Sequence, residues 1–118
     1  MAMSAETMRQ FNPYLKGELM RSRPLRRELE TFTAQFQSEL SDQPELAELV
    51  GQIGQTLDDM LSRQNSRTTP LHVRMVQGCA QVFMRKGREG DEHGFDFDIE
   101  VLNETARVIR RPKLKIVR

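Results

Sequence analysis

An all-α fold, a small four-helix bundle-like domain with a short C-terminal strand or tail, follows from three features of this 118-residue chain. Apolar residues recur at spacings of three and four over four long stretches, the period of a helix face. Residues suited to starting or stopping a helix bound those stretches. The last six residues alternate with period two, and no other segment is a convincing strand partner.

Residues 1–23 read as a flexible or partly helical segment. Met1 to Gln10 have the look of a frayed terminus. Phe11, Tyr14, Leu15 and Leu19 then suggest a short amphipathic stretch that starts at Asn12-Pro13, with Asn12 as its cap. Residues 24–111 form the helical domain. Its first helix runs from about Pro24 to Leu40, with Leu25, Leu29, Phe32, Phe36 and Leu40 on one face. Ser41-Asp42-Gln43-Pro44 breaks it, and Asp42 or Ser41 recaps the chain.

The second helix, about Pro44 to Arg63, keeps Leu46, Leu49, Val50, Ile53, Leu57, Met60 and Leu61 on a face near heptad spacing. Gly51 and Gly54 fall just off that face. Either they admit a close neighbour or they only loosen the helix, since each costs about 1 kcal/mol relative to Ala.

The third helix organises the rest. Thr69 is its N-cap, Pro70 its first residue, and Lys86 with Gly87 closes it. Leu71, Val73, Met75, Val76, Cys79, Ala80, Val82, Phe83 and Met84 spread over roughly 220° of ideal helix. So wide an apolar arc predicts neighbours on more than one side. The remaining strip, Arg74, Gln77, Gln81, Arg85 and Arg88, is expected to face water or a partner. His72 falls inside the arc and reads as a partly buried residue. The last helix, about Asp98 to Arg110, is capped by Asp98 or Asp96 and carries Ile99, Leu102, Ala106 and Ile109. Pro112 stops it. Residues 112–118 form the basic strand or tail, which as a strand would need a partner's sheet edge.

The net charge of +1 hides a strong sorting by sign. Residues 1–27 carry six bases and two acids, 28–59 eight acids and no base, and 60–88 six bases and no acid. Residues 89–106 carry seven acids and no base, and 107–118 six bases and no acid. Fourteen of the eighteen bases are Arg, whose planar fork suits carboxylate or phosphate.

Catalytic and metal motifs fail on spacing. His72 and His93 offer no zinc pattern, and the acidic loop around His93 lacks EF-hand order. Glu89, Asp91, Glu92 and Asp96 would repel an anion from the glycines of that loop. No enzyme, metal or cofactor is expected, and a role for the His93 loop in catalysis or metal binding ranks last. The single cysteine, Cys79, excludes an internal disulfide and fits a reducing, cytoplasmic setting. No run is long enough to span a membrane, and no signal-peptide core stands at the N-terminus.

The expected function is that of a non-enzymatic helical subunit or adaptor that docks through segregated charge onto a protein partner or a second copy. A nucleic-acid-backbone binder is the alternative. The candidate basic contacts are Arg74, Gln77, Gln81, Arg85, Arg88, Arg110, Arg111, Lys113 and Lys115. The candidate acidic docking face is Glu45, Glu48, Asp58 and Asp59.

Overall fold

The computed structural model describes residues 3–85 and 94–117. Five α-helices follow in order: α1 (Ala5–Phe11), α2 (Ser22–Glu39), α3 (Pro44–Ser62), α4 (Pro70–Phe83) and α5 (Asp96–Val108). Short 3₁₀ turns lie at Asn12–Leu15 and Pro112–Leu114, and no strand occurs among the described residues. The all-α class is as expected, with one helix more.

That extra helix is α1, in the stretch expected to fray. Ser4 caps it, its Oγ accepting from the Thr7 N–H at 3.1 Å. Two carboxylates one turn apart on α5 then hold it. The Met3 N–H donates to Glu104 Oε2 at 3.1 Å and the Ser4 N–H to Glu100 Oε1 at 3.2 Å. Thr7 Oγ1 donates to Glu100 Oε2 at 2.8 Å. Negative charge at the positive end of a helix is favourable. At the other end of α1, Phe11 is wholly buried. Asn12 closes α1 instead of capping a new helix, its N–H reaching Met8 O. Pro13 has no N–H to extend the ladder, so the chain tightens into the 3₁₀ turn.

The α2–α3 hairpin holds the most extensive interface. Leu25 and Leu29 of α2 are buried in the core that holds Val50, Ile53, Leu57, Met60 and Leu61 of α3. Burying such a side chain contributes about 1.5–3 kcal/mol. The two off-face glycines admit a close neighbour. A Cβ on Gly54 would stand 2.5 Å from Thr33 Oγ1 and 2.7 Å from its Cγ2, and one on Gly51 2.4 Å from Gln37 Nε2. Neither Ser41 nor Asp42 caps α3. Gln43 holds that position, without a side-chain bond.

Helix α4 is central, packed against α3, α5 and the first 3₁₀ turn. Thr69 caps it as expected, through a long 3.5 Å contact from the His72 N–H. It ends at Phe83; Lys86 and Gly87 lie outside the described residues. Phe83 sits among half-buried Phe32 and Phe36, the centroids 5.3 and 6.4 Å away, and Phe95 lies 5.8 Å from Phe36. Cys79 packs its Sγ 3.1 Å from Thr105 Oγ1 and 3.4 Å from Val101 O. Burial pushes the Cys79 thiol up to about 12, so it is an unreactive packing group.

Helix α5 starts two residues earlier than expected, and Phe95 rather than Asp96 or Asp98 holds its N-cap position. Its C-terminus closes with Arg110 at φ 62°, the Arg111 N–H on Ala106 O at 2.8 Å and the Arg110 N–H on Arg107 O at 3.1 Å. That is the geometry of a Schellman cap, with arginine where glycine is usual.

Candidate functional site

The strip along α4 is not an open surface. Gln77 is 3% exposed, and its amide brackets the Met20 backbone. The Met20 N–H donates to Gln77 Oε1 at 3.0 Å, and Gln77 Nε2 donates to Met20 O at 2.7 Å. Arg74 donates to Leu15 O and Gly17 O, both at 3.1 Å. Gly78, at the edge of the strip, shows why the chain can lie there. A Cβ at that position would sit 3.1 Å from the Phe11 ring and 3.2 Å from Tyr14 O. Residues 11–20 therefore cover the strip, and Gln81 beside it is half-buried. Arg85 turns to α5, where it meets Asp98 Oδ1 at 3.1 Å, donates to Val82 O at 2.7 Å and stands 5.5 Å from the Phe97 ring centroid. Asp98 is 3% exposed. Arg88 lies outside the described residues, as does His93.

The acidic docking face divides in the same way. Glu45 and Glu48 are exposed at the start of α3. Asp58 and Asp59 are half-buried near its far end and paired. Asp58 accepts two bonds from Arg26 of α2, at 2.8 and 3.1 Å, and Asp59 accepts from Arg63 Nε at 3.3 Å. Arg107 pairs with Glu104, and Arg9 with Glu6. Except for Arg9 with Glu6, which lie in one block, these pairs join opposite blocks of the chain, so part of the sorted charge is neutralised within the monomer.

What is left over on the hairpin is graded from end to end, with exposed Glu28 and Glu30 along α2 between the two ends. The hairpin is antiparallel, so the start of α2 lies beside the end of α3; Ser22 Oγ donates to Gln64 Oε1 at 3.4 Å there. Exposed Arg21, Arg23 and Arg27 sit at that end. Arg63 and Arg67 follow α3, and the end of α5 brings Arg111 against them. Arg110 and Lys113, its neighbours in sequence, are exposed, and Lys115 is half-buried. The opposite end of the hairpin carries exposed Glu39, Asp42, Glu45 and Glu48. Nineteen residues of α3 separate the two ends by about 28 Å, several Debye lengths at physiological salt.

The tail is not a strand. Pro112–Leu114 forms a 3₁₀ turn, after which Asn103 captures Ile116 from both sides. Asn103 Nδ2 donates to Ile116 O at 2.9 Å, and the Ile116 N–H donates to Asn103 Oδ1 at 2.8 Å. The amide of one side chain supplies the pairing that a sheet edge would have supplied.

Two hollows bear on the charged ends of the hairpin. A trough of about 660 Å³ runs between α2 and α3 over Gly51 and Gly54, lined by Arg23, Arg26 and Arg27 but also by Glu30 and Asp58. Its signs are mixed. A smaller cleft, about 220 Å³, opens at the basic end between the end of α3, the start of α4 and the end of α5. Arg63, Gln64, Arg67, His72 and Arg111 line it, and no acidic residue does. Gln64 Nε2 is buried with no hydrogen-bond partner among the described residues.

Sequence reasoning passed over Gln64, Arg63 and Arg67 because they lie in or beside a loop, off any helical stripe. Asn103 left a faint sign, as a polar residue next to the stripe of α5. Gly78 left a clearer one: a glycine inside a helix, on its polar strip, marks a close approach. Among the described residues, no group of three His, Cys, Asp or Glu could hold a metal ion, and no helix is long and apolar enough to cross a membrane. Compared with protein-family models, curated proteins and solved structures, the chain matches none, so the basic end and its cleft are read from their own residues alone.

Proposed function

We propose that this protein is a non-enzymatic helical docking subunit that binds an acidic protein surface through the basic end of its α2–α3 hairpin. One observation carries this reading: among the described residues, exposed cations of the start of α2, the α3–α4 loop and the end of α5 gather at one end of the hairpin, its other end carries exposed acids and no base, and exposed Glu28 and Glu30 lie along α2 between them. A monomer with no charged partner gains nothing from that arrangement. Surface pairs within a chain are worth about 0–1 kcal/mol each, so such sorting acts on partner choice and orientation. A cytoplasmic setting fits the lone, buried Cys79 thiol.

A nucleic-acid backbone is the second reading. It draws on the composition of the basic end, where every exposed cation except Lys113 is an arginine.

Fluorescence anisotropy separates the two, with labelled polyglutamate and a labelled DNA duplex titrated at rising salt. Docking to acidic protein predicts salt-sensitive binding of polyglutamate. Charge reversal at Arg21 and Lys113 to Glu abolishes it, while Glu45→Lys with Glu48→Lys leaves it intact. Binding of the duplex alone would favour the second reading. No binding of either polyanion at low salt overturns both. Sedimentation velocity at low salt distinguishes a foreign partner from a second copy, since each molecule carries both ends.

A further inference from the structure

We infer that the cleft at the basic end is a binding site for a phosphate monoester dianion. This goes beyond docking by net charge, which needs no specific pocket. The cleft has three arginines from three places in the chain, Arg63 closing α3, Arg67 in the following loop and Arg111 after α5. No carboxylate lines it. Arg63 gives its Nε to Asp59, leaving its terminal nitrogens for a ligand. Arg67 and Arg111 are exposed.

Gln64 is the second, independent sign. Its Nε2 is buried without a partner, while its Oε1 accepts from Ser22 Oγ at 3.4 Å. A buried donor left unpaired costs about 1–3 kcal/mol, and a turn of the amide toward the cleft, which Gln64 lines, would let an anion there supply the missing acceptor. Helix α4 also starts here, its first turn at Thr69 and His72 lining the cleft. The positive end of its dipole adds to the same field.

The chemistry selects the class of ligand. Arginine forks recognise paired oxygens, and three forks together match a group with three terminal oxygens and two charges. A phosphodiester offers two such oxygens and one charge. A simple carboxylate offers the same, and chloride has no fork-like geometry. A cleft of about 220 Å³ takes a phosphate group with the first atoms of whatever carries it.

The test is thermal melting of the full chain in inorganic phosphate, phosphoserine or dimethyl phosphate, each against sodium chloride of equal ionic strength. At ten times the dissociation constant, linkage gives a rise in Tm of about 5 °C for a chain of this size. Phosphate and phosphoserine are expected to produce that rise, and dimethyl phosphate is not. Arg67→Gln with Arg111→Gln should remove it without lowering the Tm in chloride, because both side chains are exposed. Gln64→Met should weaken it with little change in the Tm in chloride, since it deletes the orphaned donor together with the long 3.4 Å contact from Ser22 Oγ. Arg27→Gln, at the same end but outside the cleft, should keep the full rise.

A rise that persists in the Arg67 and Arg111 double variant is exclusion of a kosmotropic ion from the surface and overturns the site. An equal response to dimethyl phosphate overturns the monoester assignment. No rise for the unaltered chain in either phosphate or phosphoserine, with polyglutamate binding retained, would overturn the cleft and leave the docking reading standing.

Discussion

Replacing Gly54 by alanine sets two well-defined effects against each other. Glycine inside a helix costs about 1 kcal/mol relative to alanine, so on propensity alone the variant would gain that much. The packing opposes it. The new Cβ would lie 2.5 Å from Thr33 Oγ1, 2.7 Å from Cγ2 and 3.1 Å from the Thr33 Cβ. Thr33 is β-branched and its hydroxyl donates to Leu29 O at 2.7 Å, so the side chain cannot swing clear without losing that bond. Only separation of α2 from α3 relieves the contact, and overpacking of this kind costs about 1–3 kcal/mol. Gly54→Ala should therefore be destabilising by up to about 2 kcal/mol net. Gly51→Ala is the internal control. Its Cβ would meet only the amide end of Gln37, a flexible group whose departure breaks one bond to Ala47 O. That loss of about 1 kcal/mol nearly cancels the propensity gain. Urea unfolding followed by circular dichroism measures both, and a double-mutant cycle with Thr33→Ala locates the cause. Gly54→Ala should become nearly harmless once Thr33 is alanine. A Gly54→Ala protein as stable as the parent, with no coupling to Thr33, would refute the close-approach reasoning.

Two further outcomes follow from the buried polar groups. Burial raises the Cys79 thiol from 9.0 to about 12, so on raising the pH the unfolded chain loses its thiol proton first. Stability should hold below pH 9, then fall as the pH rises toward 12, and Cys79→Ala should lose that part of the slope when unfolding is followed across this range. Gln77→Ala leaves the Met20 backbone without both of its partners and should cost about 1 kcal/mol, given that Met20 is partly open to water. Hydrogen exchange should then show the Met20 amide losing protection while α4 keeps its own; unchanged protection at Met20 would mean that Gln77 does not hold the arm.

The helices themselves were readable from side-chain period. Leu25 and Leu29 on one face, and Val50 to Leu61 on another, could be buried only against each other, and the broad apolar arc of α4 required several neighbours. What period cannot show is which segment fills a given side. The arc of α4 leaves one strip of polar residues, and a strip of Arg and Gln reads as a wet surface. Backbone carbonyls satisfy such side chains as well as water or phosphate does, and residues 15, 17 and 20 supply them. The same ambiguity hid the fate of Asp98, a helix-start residue by pattern and a buried partner of Arg85 in the fold.

Charge shows the division most clearly. Five alternating blocks are a property of the chain, legible without any fold, and they imply that opposite signs can meet. Which ones meet depends on the antiparallel return of α3 along α2 and on the contact between α4 and α5. Those contacts pair Arg26 with Asp58 and Arg85 with Asp98, and among the described residues they leave a cluster of cations at one end of the hairpin and exposed carboxylates at the other. The cleft is wholly a product of the tertiary structure, because Arg63, Arg67 and Arg111 become neighbours only when the end of α5 returns to the end of α3. Local sequence governs the period of a helix, since that depends on residues a few positions apart. A site built from distant segments depends on how the helices stack, and stacking is decided by shape as well as by pattern.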